Sequence, residues 1–169
     1  RINNSLTINK KNLEENIFKK KIDTSVKRRK DLRSLETFTI DPIDARDFDD
    51  AISIEYDKSN LFIWVHVADV AEFVDYNSQI DKEAMLRGNS YYFPERVYHM
   101  LPRILSTKYC SLEPNVDRLS LSIKMNVDEK YNVTDYEIHE TVINSDKKFS
   151  YEEAGSILDK NEESDHTTS

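Results

Sequence analysis

With 169 residues and a formal net charge of −8, the chain has room for one sizeable core and is not a generally basic coat for nucleic acid, although a local basic groove stays open. A single cysteine, Cys110, rules out an internal disulfide framework, and only two glycines, Gly88 and Gly155, rule out Gly-rich phosphate loops of the Walker and dinucleotide-binding kinds. No apolar run is long enough to span a membrane, and the opening residues do not read as a signal peptide.

The chain begins on Arg1 rather than Met and reads as an excised piece; the lone Cys110, a small buried hydrophobe on this reading, suits a reducing, cytoplasmic location. Residues 1–35 are polar and mixed in charge, with basic runs at Lys19-Lys20-Lys21 and Lys27-Arg28-Arg29-Lys30. Leu13, Ile17 and Ile22 hint at a helix capped by Asn12. The basic runs suit a linker or solvated face better than a phosphate-contacting arm. From residue 36 the pattern turns to short strands. One runs through Thr37-Phe38-Thr39-Ile40 and delivers Asp41 at its end. A second starts at Asp50 and runs to about Tyr56. After the turn residues Asp57-Lys58-Ser59-Asn60, Leu61 to Val67 returns as the other half of a hairpin.

Asp69 then suits a cap or turn, and His66 suits a packed position in the strand better than a ligand role. Ser78 with Asp81 three residues later starts a helix that Gly88 stops. An aromatic stretch, Tyr91-Tyr92-Phe93-Pro94, leads into a segment bracketed by Pro94 and Pro102 that reads as irregular; such rings either pack or stack on nucleic-acid bases. Arg118 to Val127 and Asn132 to Ile143 are two long strands joined by the turn Asp128-Glu129-Lys130-Tyr131. Ser150 with Glu153 starts a last helix carrying Tyr151 in its first turn, and residues 161–169 form a polar tail expected to fray. Strands with a few helices, not alternating βαβ units, predict an α+β fold with a largely antiparallel sheet over residues 36–160.

The chemistry concentrates in Asp41-Pro42-Ile43-Asp44-Ala45-Arg46-Asp47-Phe48-Asp49-Asp50. Five carboxylates in ten positions repel one another. Asp-rich stretches with Pro are ordinary turn material, and one reading is a solvated loop. The other is a cation site, since the cluster is pinned between two strands and offers oxygen donors without neighbouring His or Cys. Mg²⁺, Mn²⁺ or Ca²⁺ fits such donors. No register matches an EF-hand loop.

These residues carry a family resemblance. Thr39 to Pro42 with Ala45 to Ala51 resembles the active-site signature of the ribonuclease II / ribonuclease R family, in its RNB catalytic domain. Val65-His66-Val67-Ala68-Asp69-Val70, Arg87-Gly88-Asn89-Ser90-Tyr91-Tyr92, Met100-Leu101-Pro102, Leu105-Ser106, Cys110-Ser111-Leu112, Asp117-Arg118-Leu119 and Phe149-Ser150-Tyr151 are similar to successive family blocks in the same order, over roughly residues 27–158. The Asp-Phe-Asp-Asp wording is nearest the bacterial ribonuclease R branch.

The resemblance implies Mg²⁺-dependent (or Mn²⁺-dependent) hydrolysis of single-stranded RNA from its 3′ end to nucleoside 5′-monophosphates, by a monomeric protein with no membrane partner. It implies Asp41, Asp47, Asp49 and Asp50 as catalytic carboxylates, Asp41 and Asp50 as direct metal ligands, and Asp47 and Asp49 as holders of a second metal and the attacking water. Asp44 falls outside that set. Tyr92 and Tyr151 fall at RNA-contacting positions. Two metal ions can activate a water and stabilise the leaving oxygen of a phosphodiester without a nucleophilic Ser or Cys. The family's catalytic domain is about twice the span matched here and adds a downstream arginine and glutamate, so this chain alone is expected to bind RNA weakly and cleave it poorly. A non-enzymatic RNA-binding module of the same fold is the alternative.

Overall fold

The computed structural model describes residues 28–58 and 60–165. The helix suggested around Leu13, the run Lys19–Lys21 and residues 166–169 lie outside them. Seven strands form one sheet: β1 (Lys30–Asp31), β2 (Thr37–Asp41), β3 (Asp50–Asp57), β4 (Asn60–Ala68), β7 (Asp117–Val127), β8 (Val133–Asn144) and β9 (Lys147–Ser150), in the spatial order β1-β8-β7-β4-β3-β2-β9. The centre is antiparallel, while the two outermost pairs, β1 with β8 and β2 with β9, are parallel. β5 (Tyr91–Phe93) and β6 (Arg96–Tyr98) make a separate small hairpin. Among the described residues there are two α-helices, α1 (Gln79–Arg87) and α2 (Tyr151–Asp165), with a 3-10 turn at Val70–Glu72 and a π-helical turn at Leu105–Tyr109. This is the α+β, largely antiparallel architecture that the strand pattern predicts.

Local chemistry sets the boundaries. The Ser78 hydroxyl accepts the Asp81 N–H at 3.2 Å and starts α1; Gly88 ends it in the left-handed region at φ 69°, where a side chain would be strained. Ser150 and Glu153 form a reciprocal box, 2.8 and 3.1 Å, that starts α2. That helix runs to Asp165. Two expectations are corrected. The segment from Pro94 to Pro102 is irregular only beyond Tyr98: Arg96–Tyr98 pairs with Tyr91–Phe93, because Pro94 falls in the turn, where a missing N–H costs nothing. Nor does the linker reach residue 35. Arg29 is buried and paired with Asp69 at 2.7 Å and Glu72 at 2.8 Å, and Leu32 joins the core.

The inner face of the sheet is unusually polar. Thr37, Thr39, Ser53, His66, Ser120, Ser122 and Thr141 are all buried there beside Trp64. All of them except Thr39 satisfy one another in a chain across five strands: Thr37 to Ser53 (2.7 Å), Ser53 to His66 Nε2 (2.9 Å), His66 Nδ1 to Ser122 (2.7 Å), and Ser122 to Thr141 (2.6 Å), with Ser120 joined to Thr141 (2.6 Å). Each buried hydroxyl that keeps a partner avoids the cost of an unmade bond. The outer face instead shows Ile54, Tyr56, Val67, Leu121, Tyr136 and Ile138 to solvent.

Burial pushes the His66 pKa down to about 4. An unfolded histidine takes up its proton near pH 6.5, so between pH 6.5 and 4 the unfolded state binds more protons and stability falls as pH falls. Below about pH 4 both states are charged and the loss levels off at about 3 kcal/mol. Asp41 and Asp49, whose pKa values are raised, act in the opposite direction over the carboxylate range. Urea denaturation of wild type and His66→Gln at pH 7 and pH 4.5 isolates the histidine. The pH penalty should shrink in the variant; an equal penalty in both would refute the assignment.

Candidate active site

The acidic loop leaves the sheet at Asp41, the last residue of β2, and re-enters at Asp50, the first of β3. It is a fixed loop. Ala45 N–H bonds the Pro42 carbonyl at 2.9 Å to close a turn. Phe48, the one large apolar residue between the last three aspartates, is buried at 4% exposure. Its N–H is held by the Ser111 hydroxyl at 3.1 Å, and its carbonyl accepts the Leu112 N–H at 2.8 Å. Residues 108–112 are held in turn by the buried Arg118 guanidinium, which donates to the Ser111 carbonyl at 2.7 Å and the Lys108 carbonyl at 2.9 Å. With Phe48 plugged into the core, its neighbours Asp47 and Asp49 both face one hollow of about 720 Å³, together with Asp41, Asp44, Tyr92, Arg46, His99, Arg103 and Thr107.

The hollow brings together most of the residues expected to act. Asp41, Asp47 and Asp49 line it, and the Tyr92 hydroxyl donates to Asp47 Oδ2 at 3.2 Å, tying the β5–β6 hairpin to the loop. Asp44 lines it too. Asp50 does not, but it lies near enough to raise the pKa of both Asp41 and Asp49. Tyr151 does not line it either. It is exposed and follows Ser150, the β9 residue directly opposite Asp41, so it flanks the loop.

Electrostatically the site is over-supplied with negative charge. Burial raises the Asp41 pKa; Asp50 and Asp47 raise it further, while Thr39 and Lys148 oppose them. Asp49 keeps contact with solvent, yet desolvation by surrounding protein is the main cause of its raised pKa, followed by Asp47, Asp50 and Asp41. Burial and the Asp47 carboxylate also raise the Tyr92 phenol. Asp41 Oδ2 is buried without a hydrogen bond, an expensive position for a carboxylate oxygen. A cation would satisfy that oxygen and offset the repulsion, and an all-oxygen donor set suits a hard divalent ion. Among the described residues, no three carboxylate, His or Cys side chains converge on one point at coordination distance. The donor chemistry fits a metal, while the carboxylates stand side by side, not gathered.

Cys110 is no nucleophile: it is buried, and burial pushes its thiol up to about 12. Sequence reasoning overlooked Phe48 as the anchor, Lys148 as a counter-charge, and Arg46, His99 and Arg103 as wall residues. A lone apolar residue in an aspartate run was a usable signal for the first. The others depend on a tertiary approach that spacing does not encode.

The RNB domain profile matches residues 29–169. The chain belongs to the RNB family. Ribonuclease R of Chlamydia pneumoniae is 48% identical over 149 residues, covering 87% of this chain and 22% of that protein. Ribonuclease R of Aquifex aeolicus is 46% identical over 137 residues, 80% of this chain and 19% of that protein. Among solved structures, Mycoplasma genitalium RNase R in complex with ribose-methylated single-stranded RNA superposes with a TM-score of 0.80 at 31% identity, over 89% of this chain and 24% of that one. Yeast Ssd1, a pseudonuclease, shares the fold at a TM-score of 0.72 and 20% identity, over 81% of this chain and 17% of that one. The chain thus spans about a fifth of the length of the curated relatives it matches. No helix among the described residues is long and apolar enough to cross a membrane.

Proposed function

We propose that this chain is the carboxylate-bearing part of a 3′→5′ exoribonuclease that hydrolyses single-stranded RNA to nucleoside 5′-monophosphates with Mg²⁺ or Mn²⁺, in a monomeric cytoplasmic protein. The observation that carries the reading is the placement of Asp41, Asp47 and Asp49 around one hollow, with Asp50 alongside and the Tyr92 hydroxyl on Asp47. Asp41 and Asp50, at the two strand ends, would bind metal directly; Asp47 and Asp49 would hold a second ion and orient the attacking water. Divalent ions bound there would activate that water and stabilise the departing 3′ oxygen. Tyr92 would hold the 3′-terminal nucleotide from the hairpin side, with Tyr151 contacting RNA beside the loop. Phe48, Ser111 and Arg118 would act through the loop, keeping the carboxylates in register.

The test uses a 5′-labelled single-stranded RNA with the complete gene product. Mg²⁺ should shorten the label stepwise from the 3′ end and release 5′-monophosphates, and EDTA should stop it. Internal cuts, or full activity in EDTA, would overturn the reading. The 169-residue chain by itself should bind the same RNA more weakly and cleave it poorly. The alternative, an RNA-binding module without activity, has one observation in its favour: the fold is shared with a pseudonuclease. It predicts RNA binding with no shortening under any metal.

A further inference from the structure

The hollow holds two guanidinium groups as well as carboxylates. Arg46 comes from the acidic loop, and Arg103 from the segment between Pro102 and the π-helical turn. Both are exposed, and neither makes an ion pair or side-chain hydrogen bond among the described residues, although four aspartates line the same hollow. Free guanidinium groups beside carboxylates ordinarily pair with them, bidentately where geometry allows. Here they stay apart from the acids.

The wall that presents Arg103 is held firmly. The Thr107 hydroxyl donates to the Arg103 carbonyl at 3.0 Å, Arg87 Nη1 donates to the His99 carbonyl at 2.7 Å, and the Ser90 hydroxyl accepts the Met100 N–H at 2.9 Å. So α1, the hairpin and the π-helical turn fix this wall, while the Phe48 anchor fixes the one bearing Arg46. A hollow of this volume is in the range that takes a nucleotide-sized ligand. Its acids repel a polyanion, so an RNA strand needs cationic partners for the phosphates that the carboxylate-bound ions do not reach.

We infer that Arg46 and Arg103 form a phosphate clamp for the RNA strand in the hollow, each pairing with a backbone phosphate near the 3′ end. This rests on the exoribonuclease reading and adds two positioning residues to it. Phosphate contacts of this kind are independent of base sequence and release counterions, so each should contribute about one unit to the slope of log affinity against log salt.

The experiment measures binding of a fluorescent single-stranded oligoadenylate in Mg²⁺, across a salt series, to the complete gene product carrying Asp49→Asn so that the RNA persists. Arg103→Ala and Arg46→Ala should each weaken binding about five- to tenfold at low salt and lower the slope by about one. Arg103→Lys and Arg46→Lys should restore the slope, because an ammonium keeps the charge, with affinity only partly recovered because the fork is lost. The side chains are exposed, so melting temperatures should stay at the parent value. If the Asp49→Asn protein binds RNA but the alanine variants keep its affinity and slope, the clamp is wrong and the nuclease reading stands. If the Asp49→Asn protein and the wild type both fail to bind, the nuclease reading falls and the clamp with it.

Discussion

Replacing Asp49 by Asn should abolish RNA hydrolysis while leaving the fold as stable as before or slightly more so. The two halves of this expectation come from one feature. Asp49 is partly withdrawn from water and crowded by Asp47, Asp50 and Asp41, which raises its pKa. A carboxylate whose folded pKa lies above its unfolded value costs stability when ionised, so at neutral pH the charge is a liability to the fold. Asparagine keeps the shape and removes the liability. It also removes one charge from the group proposed to hold divalent ions. Loss of a partner one step removed from a metal already costs 10–100-fold, so a residue proposed to touch the ion should cost at least about a hundredfold in rate. Two measurements check this: single-turnover cleavage of labelled RNA, and thermal melting with and without Mg²⁺. Wild type should gain stability from Mg²⁺, and Asp49→Asn should gain less. Unchanged degradation would remove Asp49 from the chemistry. A melting point several degrees lower would show that the residue holds the fold instead.

The fold was legible wherever the determining contacts are close in sequence. Ser78 with Asp81, Gly88, and Ser150 with Glu153 announce helix ends because each bond spans three or four residues. The β3–β4 hairpin announces itself through its turn residues, Lys58 taking a positive φ of 57°. By contrast, β1 and β9 are two and four residues long and pair in parallel with partners far along the chain, Lys30 with Thr141 and Asp41 with Ser150. Alternation in such short pieces carries no periodic signal. Arg29 shows the same limit: its neighbours in sequence are basic, but its partners are Asp69 and Glu72. The orientation of the sheet was also hidden. Alternation shows which residues share a face, and apolar residues usually claim the inner one. Here the hydroxyls and His66 hold it, because they pair across strands with one another.

The candidate site was legible for a different reason. The aspartates are adjacent in sequence, and their chemistry is evident from composition. What composition could not supply is direction. Phe48 is buried in the core while Asp47 and Asp49 on either side of it line the hollow, so burial of Phe48 fixes which way the pair faces. The opposite wall, with Tyr92, His99 and Arg103, reaches the hollow through a hairpin and a π-helical turn more than forty residues downstream, tied to the loop at one end by Tyr92 and Asp47.

That division of labour makes Phe48→Ala the second large effect. The ring is among the most buried in the molecule, packs in the cluster with Ala51, Leu105, Cys110 and Leu112, and has the Lys148 ammonium 5.3 Å from its centroid. Truncating a buried phenylalanine to alanine costs about 3–5 kcal/mol. A domain of this size has roughly 5–15 kcal/mol in total, so the melting temperature should fall by on the order of 10 °C or more. Activity should fall further than stability alone requires. The backbone bonds from Ser111 and to Leu112 stay in place only while residue 48 stays seated, and once it drifts, Asp47 and Asp49 lose their common direction. Phe48→Leu, which keeps an apolar plug of smaller volume, should recover most of the melting temperature and part of the rate. The comparison is made well below both melting temperatures, where the fold is intact and only the loop differs. If Phe48→Ala melts within a degree or two of wild type, the anchor is not holding the loop. If it melts low yet cleaves RNA at the wild-type rate when folded, the carboxylates are aligned by something other than this plug.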